Sequence, residues 1–451
     1  MTDAEQKFRQ MTTCSPARLV VCHSLPTILA AILPSVAAMA DAFFMARLGT
    51  DACGAVGICF PIVAAIQTIG FVFGTGAGSL LSRALGARKQ QKASSIATGA
   101  LITSLLISFV FSVVCLLLRE PLLHLLGAGD DALLPLARTY SVCLLGSAPL
   151  MCAAFVLSNL LRAEGHTVWA MFGLGFGNLT SVLSAPLLIF RQKLGVLGAG
   201  LSFPIGYGAA VLILIFPYLF RKSTVFLLSS FQVRGVIEIL KNGLPSLFRQ
   251  GLTAVAVLLL NRSARPYGDA ALAALALTSR LFLFLYAFLL GIGQGSAPIA
   301  GYNYGNGDRA RTRAIYCISL VFACSLAFLL AVPTALFAPF WIVKFRSDPN
   351  VIAYGVPLLR ALCAVFPLHG VIAVTNIFLQ GLGKPISASL VAAARQGFLF
   401  LPLIFLLPRR FGITGLVLTQ PIADLLTFFF TVPFALLLLR ELKKAHRNGS
   451  E

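Results

Sequence analysis

LPTILAAILPSVAAMADAFFMARLG, residues 25–49, carries one carboxylate, Asp41, in an apolar run long enough to cross a bilayer. A helix rises about 1.5 Å per residue, so about 20 apolar residues fill the hydrocarbon core and Asp41 falls within it. An ionised carboxylate at that depth costs at least about 2.5 kcal/mol, and acids inside membranes therefore mark function by default. Pro34, seven residues earlier, removes a helix hydrogen bond and is a candidate hinge. An acid on a bendable helix points to ion-coupled movement; the alternative is an acid satisfied by a neighbouring helix.

The rest of the chain has the same character. Of 451 residues, 58% are hydrophobic and only 11% charged, and mean hydropathy is +0.90, whereas soluble domains carry about 25% charged residues. Apolar runs bounded by Gly, Pro or charge predict twelve spans, at roughly 22–46, 52–81, 95–118, 134–161, 167–190, 195–220, 242–261, 270–299, 314–338, 350–379, 386–407 and 412–439. In lipid they must be helices, because open strands leave backbone groups unpaired. The ten cysteines contain no CxxC and read as small apolar packing residues, not as a disulfide framework or metal site. The N-terminal MTDAEQKFRQMTTCSPAR lacks the apolar core and cleavage site of a signal peptide, so the first span is expected to direct insertion.

Basic residues test the topology. Of 35 Lys and Arg, 20 fall on the N-terminus, the even-numbered connections and the C-terminal tail, and 11 on the opposite side, which places both termini in the cytoplasm. Arg249, Arg280, Arg360 and Arg395 fall inside predicted spans. The cytoplasmic clusters RALGARKQQKASS (83–95) and GDRARTRA (307–314) suit anionic lipid headgroups, so the formal charge of +20 does not call for nucleic acid.

An internal repeat organises the chain. GTGAGS at 74–79 returns as GIGQGS at 291–296, a shift of 217; Asn159 returns as Asn376, and Gly195, Gly198, Leu201, Pro204 and Ile205 return as Gly412, Gly415, Leu418, Pro421 and Ile422. The predicted fold is an all-α polytopic membrane protein, with twelve transmembrane helices in two six-helix bundles related by a pseudo-two-fold axis along the membrane normal and a substrate cavity between them. The lobes are 1–225 and 226–451, joined by the polar connection from Arg221 to Lys241. Glycines in both motifs permit close helix contact and local unwinding, and their repetition favours packing over a ligand loop.

Only Asp41 and Asp424 lie well inside spans among fifteen acidic residues. Neither has an acidic counterpart, since a shift of 217 takes Asp41 to Leu258 and Asp424 to Tyr207. Burial brings a carboxyl closer to neutral titration, so Asp41 could carry a proton; with amide and hydroxyl oxygens it could equally hold Na⁺. Gln67, Asn159, Asn178, Tyr207, Gln294, Asn376, Gln380, Gln396 and Gln420 are candidates to line a cavity, although interhelical hydrogen bonding is the commoner role for such groups. Arg280 and Arg395 could attract an anion or could partner Asp424 and helix carbonyls, and the structural role is favoured.

No GxxxxGK[ST], HExxH or GxSxG occurs, nor any Cys/His metal spacing. No cofactor is expected, and a membrane enzyme has no nucleophile, base or metal to work with. A channel is disfavoured because no charged ring or carbonyl filter is visible. Energy must come from an ion gradient or a partner.

At this point the chain resembles the multidrug and toxic compound extrusion (MATE) transporters, closest to their bacterial multidrug-exporter and DNA-damage-inducible branch. The resemblance rests on MADAFFMARLG, AVGICFPI, GTGAGSLLSRALG, LLRAEGH, GQGSAPIAGYNYGNGDRAR, LGKP, ARQGFLFLPL and FGITGLVLTQPIAD, in that order. It implies a monomeric antiporter of a bacterial inner membrane that exports amphipathic, often cationic compounds by alternating access in exchange for H⁺ or Na⁺. It also implies that Asp41 belongs to the cation site, with Asn178 retained. Where relatives commonly read Leu-Asp-Pro, this chain reads Ser184-Ala185-Pro186, which leaves Asp41 without its usual acidic neighbour. The competing expectation is a flippase for a lipid-linked anionic saccharide, for which Arg280 and Arg395 would serve as phosphate partners.

Overall fold

The computed structural model describes residues 3–128, 133–220, 223–227, 229, 231–345 and 348–447. Its helices are α1 (Asp3–Thr13), α2 (Pro16–Ala46), α3 (Thr50–Gly86), α4 (Gln90–Leu117), α5 (Arg119–Leu125), α6 (Leu133–Ala163), α7 (Thr167–Pro186), α8 (Val196–Leu219), α9 (Val233–Ala264), α10 (Asp269–Gly305), α11 (Arg309–Leu336), α12 (Ala338–Phe345), α13 (Pro349–Gly381), α14 (Pro385–Gln396) and α15 (Phe400–Arg447). Among the described residues there are no strands, and eleven segments are long and apolar enough to cross a membrane. The last of these, Pro385–Lys443, is 59 residues long, more than twice the length of one crossing, and it is broken where α15 turns at Gly412 with φ 60° and ψ −138°. Counted as two crossings, this long segment brings the total to the twelve predicted.

Gly195, 217 residues before Gly412, has φ 55° and ψ −128°. Side chains clash in that backbone region, and glycine alone enters it cheaply. The sequence repeat is therefore also a repeat of backbone geometry. The enclosed helices correspond as well: α6 packs on α3, α4 and α8, and α13 packs on α10, α11 and α15. Small residues make this packing close. On α4, Ser104, Ser108 and Ser112 recur one helical turn apart and are buried, and Ser112 Oγ donates to Leu145 O at 2.6 Å. Helix starts are capped where the chain is polar: Asp308 accepts from Arg311 N at 2.8 Å, and Asp348 accepts from Asn350 N at 2.9 Å ahead of Pro349.

Two compact units result, one formed by Met1–Thr13 with Leu29–Leu247 and the other by Cys14–Ile28 with Phe248–Glu451. Packing therefore divides the chain differently from a cut at 225/226, and the reason lies in the glycine motifs. In the first unit, α9 approaches α3 so closely that a Cβ on Gly76 would stand 2.3 Å from Ile239 O. The contact is fixed by Thr75 Oγ1 to Ser246 Oγ at 2.8 Å and by Arg83 Nη2 to Asn242 Oδ1 at 3.1 Å. In the second unit, the start of α2 lies on α10: a Cβ on Gly291 would stand 2.5 Å from Ile28 Cα, and Thr27 Oγ1 donates to Gly291 O at 2.6 Å. Both motifs serve close contact, and α3 and α10 run through them without unwinding.

Other spans depart from prediction locally. The seventh begins at Val233, not 242, because Lys241 and Asn242 continue the helix. The eleventh is interrupted between Gln396 and Phe400, where a Cβ on Gly397 would lie 2.4 Å from Ala393 O. In the connection from Arg221 to Lys241, residues 221, 222, 228 and 230 lie outside the described residues.

Candidate functional site

In the first unit, Asp41 is half-buried on α2, and among the described residues no ion pair involves it. Met45, one turn later, belongs to a buried cluster that includes Tyr140 and Ala185, against which Phe44, Phe203 and Tyr207 pack. The rings of Phe155, Phe203 and Tyr207 stand 6.2 and 6.5 Å apart around Tyr207. Pro34 lies within an unbroken α2.

Helix α7 reaches α2 at Gly175, where a Cβ would lie 3.0 Å from Leu33 Cδ1. As first and fifth spans, the two helices run in the same sense. Asp41 lies eight residues past Leu33 and Ser184 nine past Gly175, so both are about 12–14 Å further on and at similar depth. Asn178 spends an N–H on Leu174 O at 2.8 Å, and Ser184 donates to Ser181 O at 3.1 Å. With those donors engaged, each presents an oxygen as acceptor, the chemistry a hydronium or Na⁺ would need. Ala185, the position of the missing acid, is buried. Gln67 is half-buried on α3. Asn159 has a packing role, donating to Phe155 O at 2.8 Å beside Gly74, where a Cβ would touch it.

The second unit treats its carboxylate differently. Asp424 on α15 is fully buried and ringed by donors. Arg395 Nε on α14 donates to Oδ1 at 3.0 Å, Gln420 Nε2 donates to the same oxygen at 2.9 Å, and His369 Nε2 on α13 lies 3.3 Å from Oδ2. The Arg395 guanidinium lies over Tyr286 and Phe282, 4.8 and 5.5 Å from the ring centroids. Beside this cluster is a small cavity of about 70 Å³, lined by Arg395, Gln396 and Gln420 together with apolar residues of α9, α10, α13 and α15. Of the two arginines, Arg395 partners Asp424, whereas Arg280 is exposed on α10. Asn376 is committed to structure: it accepts from Arg249 Nη1 at 2.9 Å and donates to Ala388 O at 2.6 Å. Gln380 is buried and Gln294 half-buried.

Sequence reading missed His369. Its signal was available in VFPLHGVIAV, a lone imidazole in an apolar span, because a buried polar side chain requires a partner. Which partner it has depends on helix packing.

An all-helical membrane fold of two repeated units, each with one deep carboxylate, is the architecture of a transporter class, and comparison with known proteins supplies the family. A family model described as MatE matches residues 26–187 and 245–406, once in each repeat. The chain belongs to the MatE family, whose members are membrane transporters and not enzymes. It is 27% identical over 411 residues to the multidrug export protein MepA of Staphylococcus saprophyticus, covering 89% of each chain. With MepA of Staphylococcus haemolyticus it shares 27% identity over 418 residues and 91% of each chain. A MATE crystal structure in complex with MaL6 superposes with a TM-score of 0.91 at 22% identity, over 96% of this chain and 99% of the other. An outward-facing multidrug resistance MATE family transporter of the MOP superfamily gives 0.90 at 22% identity, over 96% and 98%. These structures share its fold.

Proposed function

We propose that this protein is a secondary active multidrug exporter of the bacterial inner membrane, both termini cytoplasmic, which releases amphipathic, mainly cationic compounds in exchange for H⁺ or Na⁺ by alternating access. Its membership of the MatE family supports this reading, as does its similarity over most of its length to proteins named for multidrug export.

The observation that carries the coupling role is Asp41: a half-buried carboxylate in the first span, without an ion pair among the described residues, at the depth of Ser184 and one turn before Met45 of the cluster that includes Tyr140. An unneutralised acid in low dielectric binds a small cation more strongly than it would in water. Occupation by H⁺ or Na⁺ removes the charge that would otherwise hold a cationic substrate, and this competition makes exchange possible. The aromatic residues Phe155, Phe203 and Tyr207 offer such a substrate apolar and cation–π contact. Pro34 would absorb the bend of α2 between states.

The test is transport by proteoliposomes under an imposed pH or Na⁺ gradient, each applied alone. Asp41→Asn should abolish uphill export while the protein still inserts and folds, and undiminished export by the variant would overturn the role.

A further inference from the structure

Arg360 falls inside a predicted span, yet it is exposed on α13, and its Nε donates to Ala335 O at 3.4 Å in the last turn of α11. A guanidinium on a lipid-facing surface is tolerated where it reaches the headgroups, so this contact marks the depth at which α11 ends. We propose that α12, which follows directly, is a membrane-interface anchor. It lies at the boundary between headgroups and acyl chains in the leaflet opposite Arg309, with Phe337, Phe340, Trp341 and Phe345 among the lipids.

Helix length gives the same depth. α11 begins with Arg309, Arg311 and Arg313, and its apolar run starts at Ala314. Leu336 lies 22 residues further on, about 33 Å along a helix, whereas the hydrocarbon core is about 30 Å thick. At Phe337 the helix breaks, with φ −93° and ψ 21°, and beyond α12 the next crossing opens on Asp348, which accepts from Asn350 N. α12 therefore sits between two crossings, at the level where each leaves the core.

Packing leaves an apolar surface of α12 uncovered. Ala338 and Ile342, one turn apart, are fully buried, and Ile342 lies so close to the second turn of α13 that a Cβ on Gly355 would stand 3.2 Å from its Cδ1. All other residues of α12 are exposed, and among them only Lys344 is polar. Phe340 and Trp341 are 59% and 39% exposed, with ring centroids 5.6 Å apart. Aromatic side chains concentrate at membrane interfaces, where acyl chains cover the ring and an indole N–H still finds polar partners. Lys344 can extend its ammonium to the phosphates. Deeper placement would strand that charge and the unpaired N–H groups at the start of the helix, and placement in water would expose the rings.

The first unit shows that the fold does not require these rings. The shift of 217 brings Arg119, Glu120 and His124 of α5 onto Leu336, Phe337 and Trp341. There the connection is held by an ion pair, Glu120 Oε1 to Arg138 Nη2 at 2.6 Å. In the second unit aromatic residues replace that polar set, and the partner they suit is the lipid interface.

The inference does not depend on export or on Asp41, because it concerns depth in the bilayer. Trp341 is one of two tryptophans, so Trp169→Phe makes it the sole indole emitter. The full chain with that substitution is placed in phosphatidylcholine vesicles whose acyl chains are brominated either near the glycerol or near the terminal methyl, and its fluorescence is compared with that of unbrominated vesicles in aqueous iodide. We expect shallow bromine to quench Trp341 about twofold or more as strongly as deep bromine, and iodide to quench it little. The difference in emission between the unmodified chain and Trp341→Phe gives the same quantity with Trp169 intact. Phe340→Ser with Phe345→Ser should about double the quenching by iodide, because the neighbouring rings hold the helix in lipid. Dominant quenching by iodide would place α12 in water, and dominant quenching by deep bromine would place it in the core. Either result, or unchanged quenching after loss of the two rings, would overturn the proposal.

Discussion

Asp41 and Asp424 are the same side chain at membrane depth in two copies of one fold, yet the units treat them in opposite ways. Asp41 is half-buried and, among the described residues, without an ion pair, one turn before Met45 of the cluster that includes Tyr140. Asp424 is fully buried and held by a guanidinium and an amide, with an imidazole nitrogen 3.3 Å from its other oxygen. Duplication preserved what the backbone requires, such as the matching dihedral angles at Gly195 and Gly412, while polar side chains diverged. A carboxylate left unneutralised can exchange cations; one that is neutralised holds helices together and turns a positive group towards its cavity.

The contrast can be broken most sharply by comparing Asp41→Asn with Asp424→Asn. The first should reduce gradient-driven export by about 100-fold or more, since each ~1.4 kcal/mol of lost coupling is a factor of ten, and should leave the melting temperature almost unchanged. The second should act on stability. Asp424→Asn or Arg395→Gln strands a buried charge at a cost of about 3–5 kcal/mol, and replacing both together should restore most of it. Thermal unfolding in detergent measures this, and additive effects of the two substitutions would show that the pair is not coupled.

Smaller effects test the shared framework. Gly76→Ala and Gly291→Ala drive a methyl into Ile239 O and Ile28 Cα, and each should cost about 1–3 kcal/mol by overpacking; like losses would show that the two motifs carry like contacts. Glu164, in the connection between α6 and α7, gives the smallest effect. Its buried carboxylate accepts from Tyr218 Oη, Ser223 Oγ, Thr224 N and Thr224 Oγ1 at 2.6–2.9 Å. Burial raises its pKa above the usual carboxylate value despite those bonds, so its stabilising contribution is full below the unfolded value and is lost as pH rises through the folded one. Glu164→Gln should remove that part of the pH dependence, visible in melting curves as pH rises above the ordinary glutamate value of about 4.3.

Much of this was legible in the sequence. Hydropathy gave the twelve spans because lipid leaves a long apolar run no option except a helix. The constant shift of 217 linking GTGAGS to GIGQGS and Gly195 to Gly412 disclosed the duplication, since glycine recurs where a Cβ would clash, as at Gly76 and Gly291, or where φ is positive, as at Gly195 and Gly412. Asp41 and Asp424 were legible as costly groups, and Arg395 as one of two possible partners. Which arginine it was, and that His369 joined them, followed only from the facing of α10, α13, α14 and α15. The assignment of residues 14–28 to the second unit was equally invisible, because it depends on Thr27 meeting Gly291 across 264 positions of chain. Sequence alone determined the solvent, the helices and their repetition, all of which are local consequences of apolar length and missing side chains. Tertiary structure decided which of two identical acids is neutralised, because that depends on distances of about 3 Å between residues remote in the chain.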